Sequence, residues 1–405
     1  MQFLGALSSL LSSRCDLPSK HKQSPSTHTL STLLPSLHSQ RASFQSSLCL
    51  HCQSSLSQFT TIQPHPLQQH DKMAADWSVS HNEQVQHSLN VDLVHTLNLG
   101  SVVCCVRFSH DGKYLATGCN KKSQIYDVAT GETVCVFHHG AADDDIGMYV
   151  RGVSFSPDGK FLATSGEDKL VRVWDIESQT IKHTLSGHKD DIYSLEIARD
   201  GRTIASGGGD KTVRLWDVET GASTHTFSAE AGVTSVSISP DSAYVAAGSL
   251  DHSIRVWSIQ QGTLVDHLKG TEGHKNSVYS VAFTSDGKKL VSASLDKTAK
   301  LWELSSTEGG VADGPTPEGR CLKTFKGHDD LVLSAALTRD NAWVISGSKD
   351  RSARFWDAGT GQAQLQVKGH DKTVISVATH PTGNFFATGS GDGRARIWSY
   401  GPARQ

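Results

Sequence analysis

The chain has no strong excess of charge and no long hydrophobic run. Its 38 Lys and Arg residues nearly balance 41 Asp and Glu residues, which gives a formal net charge of −3 over 405 residues. Proteins that bind nucleic acid through its phosphates need a basic surface, so this balance argues against direct nucleic-acid binding. No stretch of 18 apolar residues occurs, so we expect no membrane-spanning helix and no membrane partner.

The eight cysteines do not have the pattern of a disulfide framework. Cys104 and Cys105 are adjacent within an apolar run, and Cys135 and Cys321 lie in segments that alternate like strands. Small secreted domains use regularly spaced cysteines as staples, whereas the distribution here is typical of small buried residues in a reducing compartment.

The first 75 residues contain little that could form a hydrophobic core. They are rich in Ser, His, Gln, Thr and Pro and show no sustained period of apolar residues. Such a segment buries too little apolar surface to offset the entropy that is lost on ordering. We therefore expect a disordered, low-complexity tail over residues 1–75 and a folded domain over residues 76–405.

What the sequence does contain is a repeat. Seven times between Val102 and Tyr400 a short apolar strand ends in an aromatic residue, usually followed by Asp. Successive closing residues are 41 to 54 residues apart along the chain. They are Tyr126, Trp174, Trp216, Trp257, Trp302, Trp356 and Trp398. A period of about 40–45 residues is typical of a four-stranded WD40 blade. The repeat therefore predicts an all-β fold, a seven-bladed WD40 β-propeller.

The third unit illustrates how a blade is encoded. Residues 191–197 alternate like an inner strand, and Asp-Gly at 200–201 is a hairpin signal. Strands are predicted next at residues 203–206, 213–217 and 224–227. Short antiparallel connections of this kind produce a twisted sheet, and radial packing of seven sheets buries both faces of most blades.

The last unit lacks an outer strand, because the chain ends soon after Trp398. Residues 91–97 precede the first unit and alternate suitably for a strand. We expect them to pair with the seventh blade and close the ring, which would leave no open sheet edge at this point.

His, Ser or Thr, Asp and Trp recur together in four of the seven units. The His and Asp are always 22 residues apart, and the Asp and Trp always 6. A catalytic triad is one optimised constellation, so four identical copies predict structural networks that pair otherwise unsatisfied polar groups. The sets are His188, Ser206, Asp210 and Trp216; His274, Ser292, Asp296 and Trp302; His328, Ser346, Asp350 and Trp356; and His370, Thr388, Asp392 and Trp398. The first, second and fourth units lack the Gly-His opener, so we expect the ring to be uneven there.

We find no pattern of enzymatic chemistry or of a cofactor site. The glycines at 207–209 lie between two predicted strands and not before a helix, so they do not predict a phosphate-binding loop. No HExxH or EF-hand pattern occurs, and the single Cys pair at 49–52 is not followed by a second pair. We therefore expect a protein that is not an enzyme and that has no cofactor and no metal.

Six stretches go beyond the general pattern of a WD40 blade. They are residues 101–109 (SVVCCVRFS), 114–120 (YLATGCN), 161–168 (FLATSGED), 187–195 (GHKDDIYSL), 273–281 (GHKNSVYSV) and 387–398 (ATGSGDGRARIW). Together they closely resemble the C-terminal propeller of the Tup-type general transcriptional corepressors of fungi. The resemblance extends from about residue 76 to residue 399.

The resemblance implies a nuclear scaffold without enzymatic activity that docks on DNA-bound transcriptional repressors. Members of the family also carry an N-terminal helical segment that forms tetramers and recruits a TPR-repeat corepressor. Residues 1–75 show no heptad pattern of that kind. We therefore expect a propeller-only relative, or a chain whose N-terminal part is missing or replaced. This leaves the TPR-repeat partner and the oligomeric state open.

In that family the partner-binding surface is the narrow top face around the central channel. Carried over by position, a first set lies near the start of the inner strands: Cys104, Tyr149, Arg151, Tyr193, Tyr279, Leu333 and Ile375. A second set directly precedes the Asp of a turn: Glu167, Leu250, Leu295 and Lys349.

An independent argument supports part of the first set. Tyr193, Tyr279, Leu333 and Ile375 each follow an apolar residue in the register of a buried strand position, so alternation turns them away from the core. Exposed Tyr is a good anchor because it offers a large contact area at a low entropy cost. The alternative is that these side chains pack between blades, as most aromatic side chains in strands do.

A second function remains open, a WD40 adaptor of another pathway such as substrate capture for a ubiquitin ligase or an RNA-processing assembly. A basic top face would favour recognition of phosphorylated segments by a ligase, whereas the residues carried over are mixed and apolar. Two long loops, at 140–147 and 305–320, fit either partner binding or tolerated insertion.

Overall fold

The structure is a computed structural model that describes residues 76–86, 88–140, 148–305 and 319–403. These ranges contain 29 strands, and they hold no helix with the length and hydropathy that a membrane crossing requires. The disordered tail predicted for residues 1–75 lies outside the described residues, as do most of the two long loops.

The strands form seven antiparallel sheets arranged as blades. Two strands, β1 (Ser78–His81) and β2 (Leu89–Asn98), precede the first blade. Blade one consists of β3 (Cys105–Phe108), β4 (Tyr114–Cys119), β5 (Lys122–Asp127) and β6 (Thr133–His138). Blade two consists of β7 (Val150–Phe155), β8 (Phe161–Gly166), β9 (Leu170–Asp175) and β10 (Thr180–Ser186). Blade three consists of β11 (Ile192–Ile197), β12 (Thr203–Gly208), β13 (Thr212–Asp217) and β14 (Ser223–Ser228).

The remaining blades follow the same order from inner to outer strand. Blade four consists of β15 (Val233–Ile238), β16 (Tyr244–Ser249), β17 (Ile254–Ser258) and β18 (Leu264–Leu268). Blade five consists of β19 (Val278–Phe283), β20 (Lys289–Ser294), β21 (Thr298–Glu303) and β22 (Arg320–Lys326). Blade six consists of β23 (Val332–Leu337), β24 (Trp343–Ser348), β25 (Ser352–Asp357) and β26 (Ala363–Lys368). Blade seven begins with β27 (Val374–Thr379), β28 (Phe385–Ser390) and β29 (Arg394–Pro402).

The outer strand of blade seven comes from the start of the domain. β2 pairs with β29 in antiparallel register, from Leu89 opposite Pro402 to Asn98 opposite Arg394. Residues 91–97, where the sequence places a closing strand, lie within β2. The prediction of a seven-bladed, all-β propeller is confirmed.

Apolar side chains from neighbouring blades share each core cluster. Between blades two and three, for example, Val171 and Val173 pack with Leu195, Ile204 and Trp216, and all five are buried. Because both faces of each blade are covered in this way, the second strands are apolar or small at almost every position. Burial of each large apolar side chain stabilises the fold by roughly 2 kcal/mol.

Serines on the inner strands connect neighbouring blades. An inner strand has a paired neighbour on one side only, so N–H groups on its other edge need another acceptor. At five consecutive blade junctions, from blade three around the ring to blade one, a serine Oγ accepts a hydrogen bond of 3.0–3.2 Å from a backbone N–H of the next inner strand. The pairs, serine first, are Ser194–Val236, Ser235–Val281, Ser280–Ala335, Ser334–Val377 and Ser376–Val106. We refer to these contacts as the serine seam.

Two further side chains continue the connection around the ring. Between blades two and three, Ser154 Oγ accepts a 3.0 Å hydrogen bond from the Ile197 N–H. Between blades one and two, the Cys105 thiol donates to the Val150 carbonyl at 3.7 Å. Every pair of adjacent blades therefore has a hydrogen bond from one inner strand to the next.

Residues 76–81, which we call the strap, join blades six and seven. β1 adds a fifth strand to blade six by pairing with β26. The Asp76 carboxylate binds the guanidinium of Arg396, whose side chain is completely buried. Trp77 packs edge-on against Trp398 at 5.8 Å between ring centroids. The strap lies before the closing strand at residues 91–97 and is not predicted from the sequence pattern.

Replacing Asp76 by Asn should lower the free energy of unfolding by about 2 kcal/mol, because Arg396 would keep a buried charge without a carboxylate. Asp76 is itself 60% exposed, so solvent screening makes the effect smaller than for a fully buried pair. Chemical denaturation of the full chain measures the change. Asp371→Asn is the matched control, since this carboxylate is 79% exposed and pairs with Arg394 at 3.4 Å. Equal losses in both variants would contradict the role of the strap.

Candidate partner-binding face

A β-bulge at the start of the inner strand directs most side chains of the first predicted set. In blade three the pairing of β11 with β12 passes from Ile192 directly to Ser194 and leaves Tyr193 without a partner. A bulge inserts one extra residue and re-aims its side chain. The bulge, and not the simple alternation assumed from the sequence, thus sets the direction of Tyr193. The same shift occurs at Arg151, Tyr279, Leu333 and Ile375.

The bulge residues converge on an axial cavity. The cavity has a volume of about 900 Å³ and is lined by all seven inner strands. Six residues of the first set line it: Cys104, Arg151, Tyr193, Tyr279, Leu333 and Ile375. The five other predicted residues do not line the cavity and lie beside the starts of inner strands: Tyr149, Glu167, Leu250, Leu295 and Lys349. We call the face at which the inner strands begin the top face.

Arg151 and Glu167 form an ion pair at the top of blade two. Arg151 Nε lies 3.0 Å from Glu167 Oε1, and the two side chains are only 12% and 23% exposed. The guanidinium also lies 5.2 Å from the ring centroid of Tyr149 and 3.7 Å from Cys104 Sγ. Burial alone lowers the pKa of Arg151, but the Cys104 sulfur, once it ionises at high pH, and the Glu167 carboxylate more than offset this and raise it. Glu167 is therefore not an ordinary solvated charge, because it holds Arg151 in place.

The thiol and phenol groups near Arg151 stay protonated at neutral pH. Burial raises the pKa of Cys104 to about 11, and this residue is buried in the wall of the cavity. Burial, together with Asp191 and Asp190, raises the pKa of Tyr193 to about 12. Burial also raises the pKa of Tyr279. The two half-buried tyrosines thus offer neutral hydroxyl donors and aromatic surface to a partner.

The second predicted set lies on the tight turns between the second and third strands. Each backbone N–H donates to the carbonyl of the residue just before the inner strand of the same blade, at 2.9–3.3 Å. The pairs are Glu167–Tyr149, Leu250–Gly232, Leu295–Ser277 and Lys349–Leu331. This bond places the turn beside the start of the inner strand. Lys349 also pairs with Asp330 at 3.8 Å.

Thr234 is the bulge residue of blade four, and neither predicted set contains it. The register of β15 and β16 passes from Val233 to Ser235, and Thr234 lines the cavity like its counterparts. Its Oγ1 lies within hydrogen-bond distance of the Gly248 and Val278 carbonyls, so its proton is used within the protein. The signal was available, because residues 233–236 (VTSV) match residues 278–281 (VYSV) position by position.

A family model for the WD domain, G-beta repeat, matches the chain seven times. The matched segments are residues 92–127, 133–175, 179–217, 221–258, 264–303, 319–357 and 361–399, so most of the chain is covered. The chain belongs to the WD40-repeat family.

Curated relatives confirm the resemblance to Tup-type corepressors. The chain is 58% identical over 296 residues to Transcriptional repressor rco-1 of Neurospora crassa, which covers 73% of this chain and 49% of the relative. It is 42% identical over 355 residues to General transcriptional corepressor TUP1 of Saccharomyces cerevisiae, covering 73% and 50%. It is 49% identical over 293 residues to Transcriptional repressor tup12 of Schizosaccharomyces pombe, covering 72% and 48%. The chain spans about half the length of these relatives.

The structure brings together all four His, Ser or Thr, Asp and Trp sets of this WD40 propeller. In blade three, His188 Nδ1 lies 3.0 Å from Asp210 Oδ2, and Ser206 Oγ lies 2.8 Å from both His188 Nε2 and Trp216 Nε1. The corresponding distances in the other three sets are 2.7–2.9 Å. Four copies of one geometry fit a structural role.

Each network has one consistent direction of donation. The Trp216 indole can only donate, so Ser206 Oγ accepts from it and donates to His188 Nε2, and Nδ1–H donates to Asp210. Burial lowers the pKa of His188, which keeps the ring neutral. Asp210 also accepts from the Lys189 N–H at 2.8 Å, so the network fixes the turn. Asp296 and Asp350 hold the turns that carry Leu295 and Lys349 in the same way.

In blades two and four an arginine, and not a histidine, holds the Asp of the tight turn. The sequence predicts an uneven ring where the Gly-His opener is absent. There the turn Asp pairs with an Arg four residues later, Asp168 with Arg172 and Asp251 with Arg255, the latter at 2.7 Å. The turn is therefore held by an arginine that is buried in blade four and largely buried in blade two, although the Gly-His opener is missing.

His139 is a buried titratable group outside the four His, Ser or Thr, Asp and Trp sets. It directly follows β6, is 4% exposed and packs edge-on against Trp174 of the next blade at 5.2 Å. Its Nε2 lies 3.0 Å from Ser123 Oγ. Burial, together with the positive charges of Arg172 and His138, lowers the pKa of His139 to about 3.

Replacing Ser292 by Ala should lower the free energy of unfolding by about 2 kcal/mol. The substitution leaves the Trp302 indole N–H and a ring nitrogen of His274 buried without their partner, and such unmade hydrogen bonds are costly. Ser178→Ala, in an exposed turn, is the control and should cost about 0.5 kcal/mol or less. Denaturant titration of both variants measures the difference. A Ser292→Ala variant as stable as the native chain would contradict the network.

His139 should make the propeller less stable in acid. Its pKa in the folded state lies below the ordinary value of 6.5, so its contribution is present above pH 6.5 and is lost as the pH falls toward 3. Between pH 7 and pH 5 we expect this residue to account for a loss of about 2 kcal/mol. His139→Gln should flatten the pH dependence of the melting temperature, whereas His138→Gln at the exposed neighbour should not. The same slope in both variants would exclude His139 as the cause.

Proposed function

We propose that the chain is a nuclear, non-enzymatic corepressor scaffold whose propeller docks on DNA-bound transcriptional repressors through the top face. One observation carries the proposal. Proteins named as transcriptional repressors or general corepressors are 42–58% identical to this chain over nearly three quarters of its length. The WD40 fold alone would not support it, because one fold hosts many functions.

The chemistry of the top face supports docking of a protein segment. Tyr193, Tyr279, Leu333 and Ile375 surround the cavity with partly exposed aromatic and aliphatic surface. Aromatic anchors around a concave site are the usual centre of a binding hot spot. We therefore propose that an apolar side chain of the repressor enters the cavity between these four residues.

The same residues argue against recognition of phosphorylated segments by an adaptor of another pathway. A phosphate site needs cations whose donors are free. In the two predicted sets, Arg151 is paired with Glu167 and Lys349 with Asp330. The proposed partner segment is therefore one that binds through apolar contacts and hydrogen bonds. A TPR-repeat corepressor is a second partner class that the resemblance implies, and the same experiment tests it.

Capture from nuclear extract tests the proposal. Tagged full chain should retain sequence-specific transcription factors, identified by mass spectrometry. With a Tyr193→Ala/Tyr279→Ala variant, the recovered amount of these transcription factors should fall at least about tenfold, because two hot-spot side chains are removed. Ile181→Ala is the matched control, since this apolar side chain is 45% exposed on an outer strand and should bind as the native chain does. Circular dichroism should show that all three proteins are folded.

Two outcomes of the capture experiment would contradict the proposal. Recovery of ubiquitin-ligase or RNA-processing subunits in place of transcription factors would favour the adaptor. Unchanged capture by the double tyrosine variant would remove the assigned site. A reporter gene adds a second measurement, because the full chain fused to a DNA-binding domain should repress it, and a fusion that leaves expression unchanged would argue against a corepressor.

A further inference from the structure

Blade five differs from other blades at the position four residues after the turn Asp. It has Lys300 there, and this residue is only 9% exposed. No carboxylate among the described residues lies within ion-pair distance of its Nζ. Four other blades have at this position an arginine paired with a carboxylate: Arg172, Arg255, Arg354 and Arg396. The surroundings of Lys300 therefore differ from those of these four arginines.

The nearest polar neighbours of Lys300 lie on the outer strand of the blade. Its Nζ lies 2.8 Å from Thr324 Oγ1 and 3.8 Å from the sulfur of Cys321. Cys321 is a free, half-buried thiol on β22, and its Sγ lies 3.4 Å from the Lys323 carbonyl. An amine and a thiol on adjacent strands are thus held within reach of one bridging atom.

A small cavity gives access to this pair. Its volume is about 220 Å³, and it lies between the third and fourth strands on the side of the blade. This space is large enough for a water-sized oxidant such as hydrogen peroxide. The residues that line it are Glu272, Lys300, Cys321, Leu322, Lys323 and Thr324.

We propose that Lys300 and Cys321 are a redox modification site, at which hydrogen peroxide forms a covalent N–O–S cross-link between the lysine nitrogen and the cysteine sulfur. In the first step the thiol is oxidised to a sulfenic acid, one peroxide is reduced and one water is released. In the second step a second peroxide oxidises the amine nitrogen. The sulfenic oxygen becomes the bridge, and two further waters leave.

The electrons and protons of the two steps balance. The sulfur and the nitrogen each lose two electrons, and each of the two peroxides accepts two. The ammonium of Lys300 must first release a proton, and water in the cavity or the Glu272 carboxylate at its lining accepts it. Proximity favours this product over further oxidation of sulfur, because the amine is already held 3.8 Å away.

The cross-link would join β21 to β22 covalently at the rim of the propeller. It joins residues 300 and 321 on adjacent strands, where Lys300 pairs with Thr324 and Cys321 pairs with Trp302 across the sheet. Its effect is therefore to hold the outer strand of blade five in place under oxidising conditions. The inference goes beyond the proposed docking function and does not depend on it.

Mass spectrometry of the full chain tests the proposal. After reduction and exposure to hydrogen peroxide, the intact mass should rise by about 14 Da, one oxygen gained and two hydrogens lost, and dithiothreitol should reverse the change. Tryptic mapping should recover one linked species containing Lys300 and Cys321, with no cleavage after Lys300. Cys321→Ser and Lys300→Arg should both lose this species. Lys323→Arg is the matched control, since Lys323 lines the same cavity, and should retain it.

Other oxidation products would overturn the proposal. Sulfinic or sulfonic acid at Cys321, formed equally in the native chain and in Lys300→Arg, would show that the lysine has no part. A linked species that persists in Cys321→Ser would place the chemistry elsewhere. Melting curves give a second readout, because peroxide should raise the midpoint of the native chain and not that of either variant. An equal shift in all of them would also contradict the cross-link.

Discussion

The propeller depends on how the free edge of each inner strand is satisfied. These strands surround the axis, where no further strand can pair with them, so backbone N–H groups there need side-chain acceptors. The serine seam supplies them from the neighbouring blade, for example from Ser194 to Val236. The bulge lies next to these serines in the chain, as Tyr193 lies next to Ser194. One local arrangement therefore joins the blades and directs one side chain per blade toward the axial cavity.

The turns beside the cavity also depend on the Asp of each turn, whose carboxylate must bind a cation or a hydrogen-bond donor. A histidine binds this carboxylate in blades three, five, six and seven, and Arg172 and Arg255 bind it in blades two and four. Both arrangements hold the residue before the Asp in the same place. Sequence variation in the framework therefore does not disturb the geometry of the top face, whose own residues differ from blade to blade.

The ring is completed by segments from the start of the domain. β2 supplies the missing strand of blade seven, and the strap covers Trp398 and neutralises Arg396. These contacts join the two ends of the domain, so the closing blade is held by long-range pairing. The rim and the axis then have separate chemistry: Lys300 and Cys321 lie on the outer part of blade five, whereas Tyr193 and Tyr279 line the cavity.

The sequence alone determined the number of blades, the strand order within a blade and the four His, Ser or Thr, Asp and Trp sets, because each depends on spacing along the chain. It also located residues of the cavity wall such as Tyr279 and Leu333. Only the tertiary structure decided the direction of these side chains, because a bulge is defined by the register of two strands. It also decided the ion pair of Arg151 with Glu167, the burial of His139 and the contact of Lys300 with Cys321. Contacts of this kind join separate strands or neighbouring blades, and no pattern within a single strand encodes them.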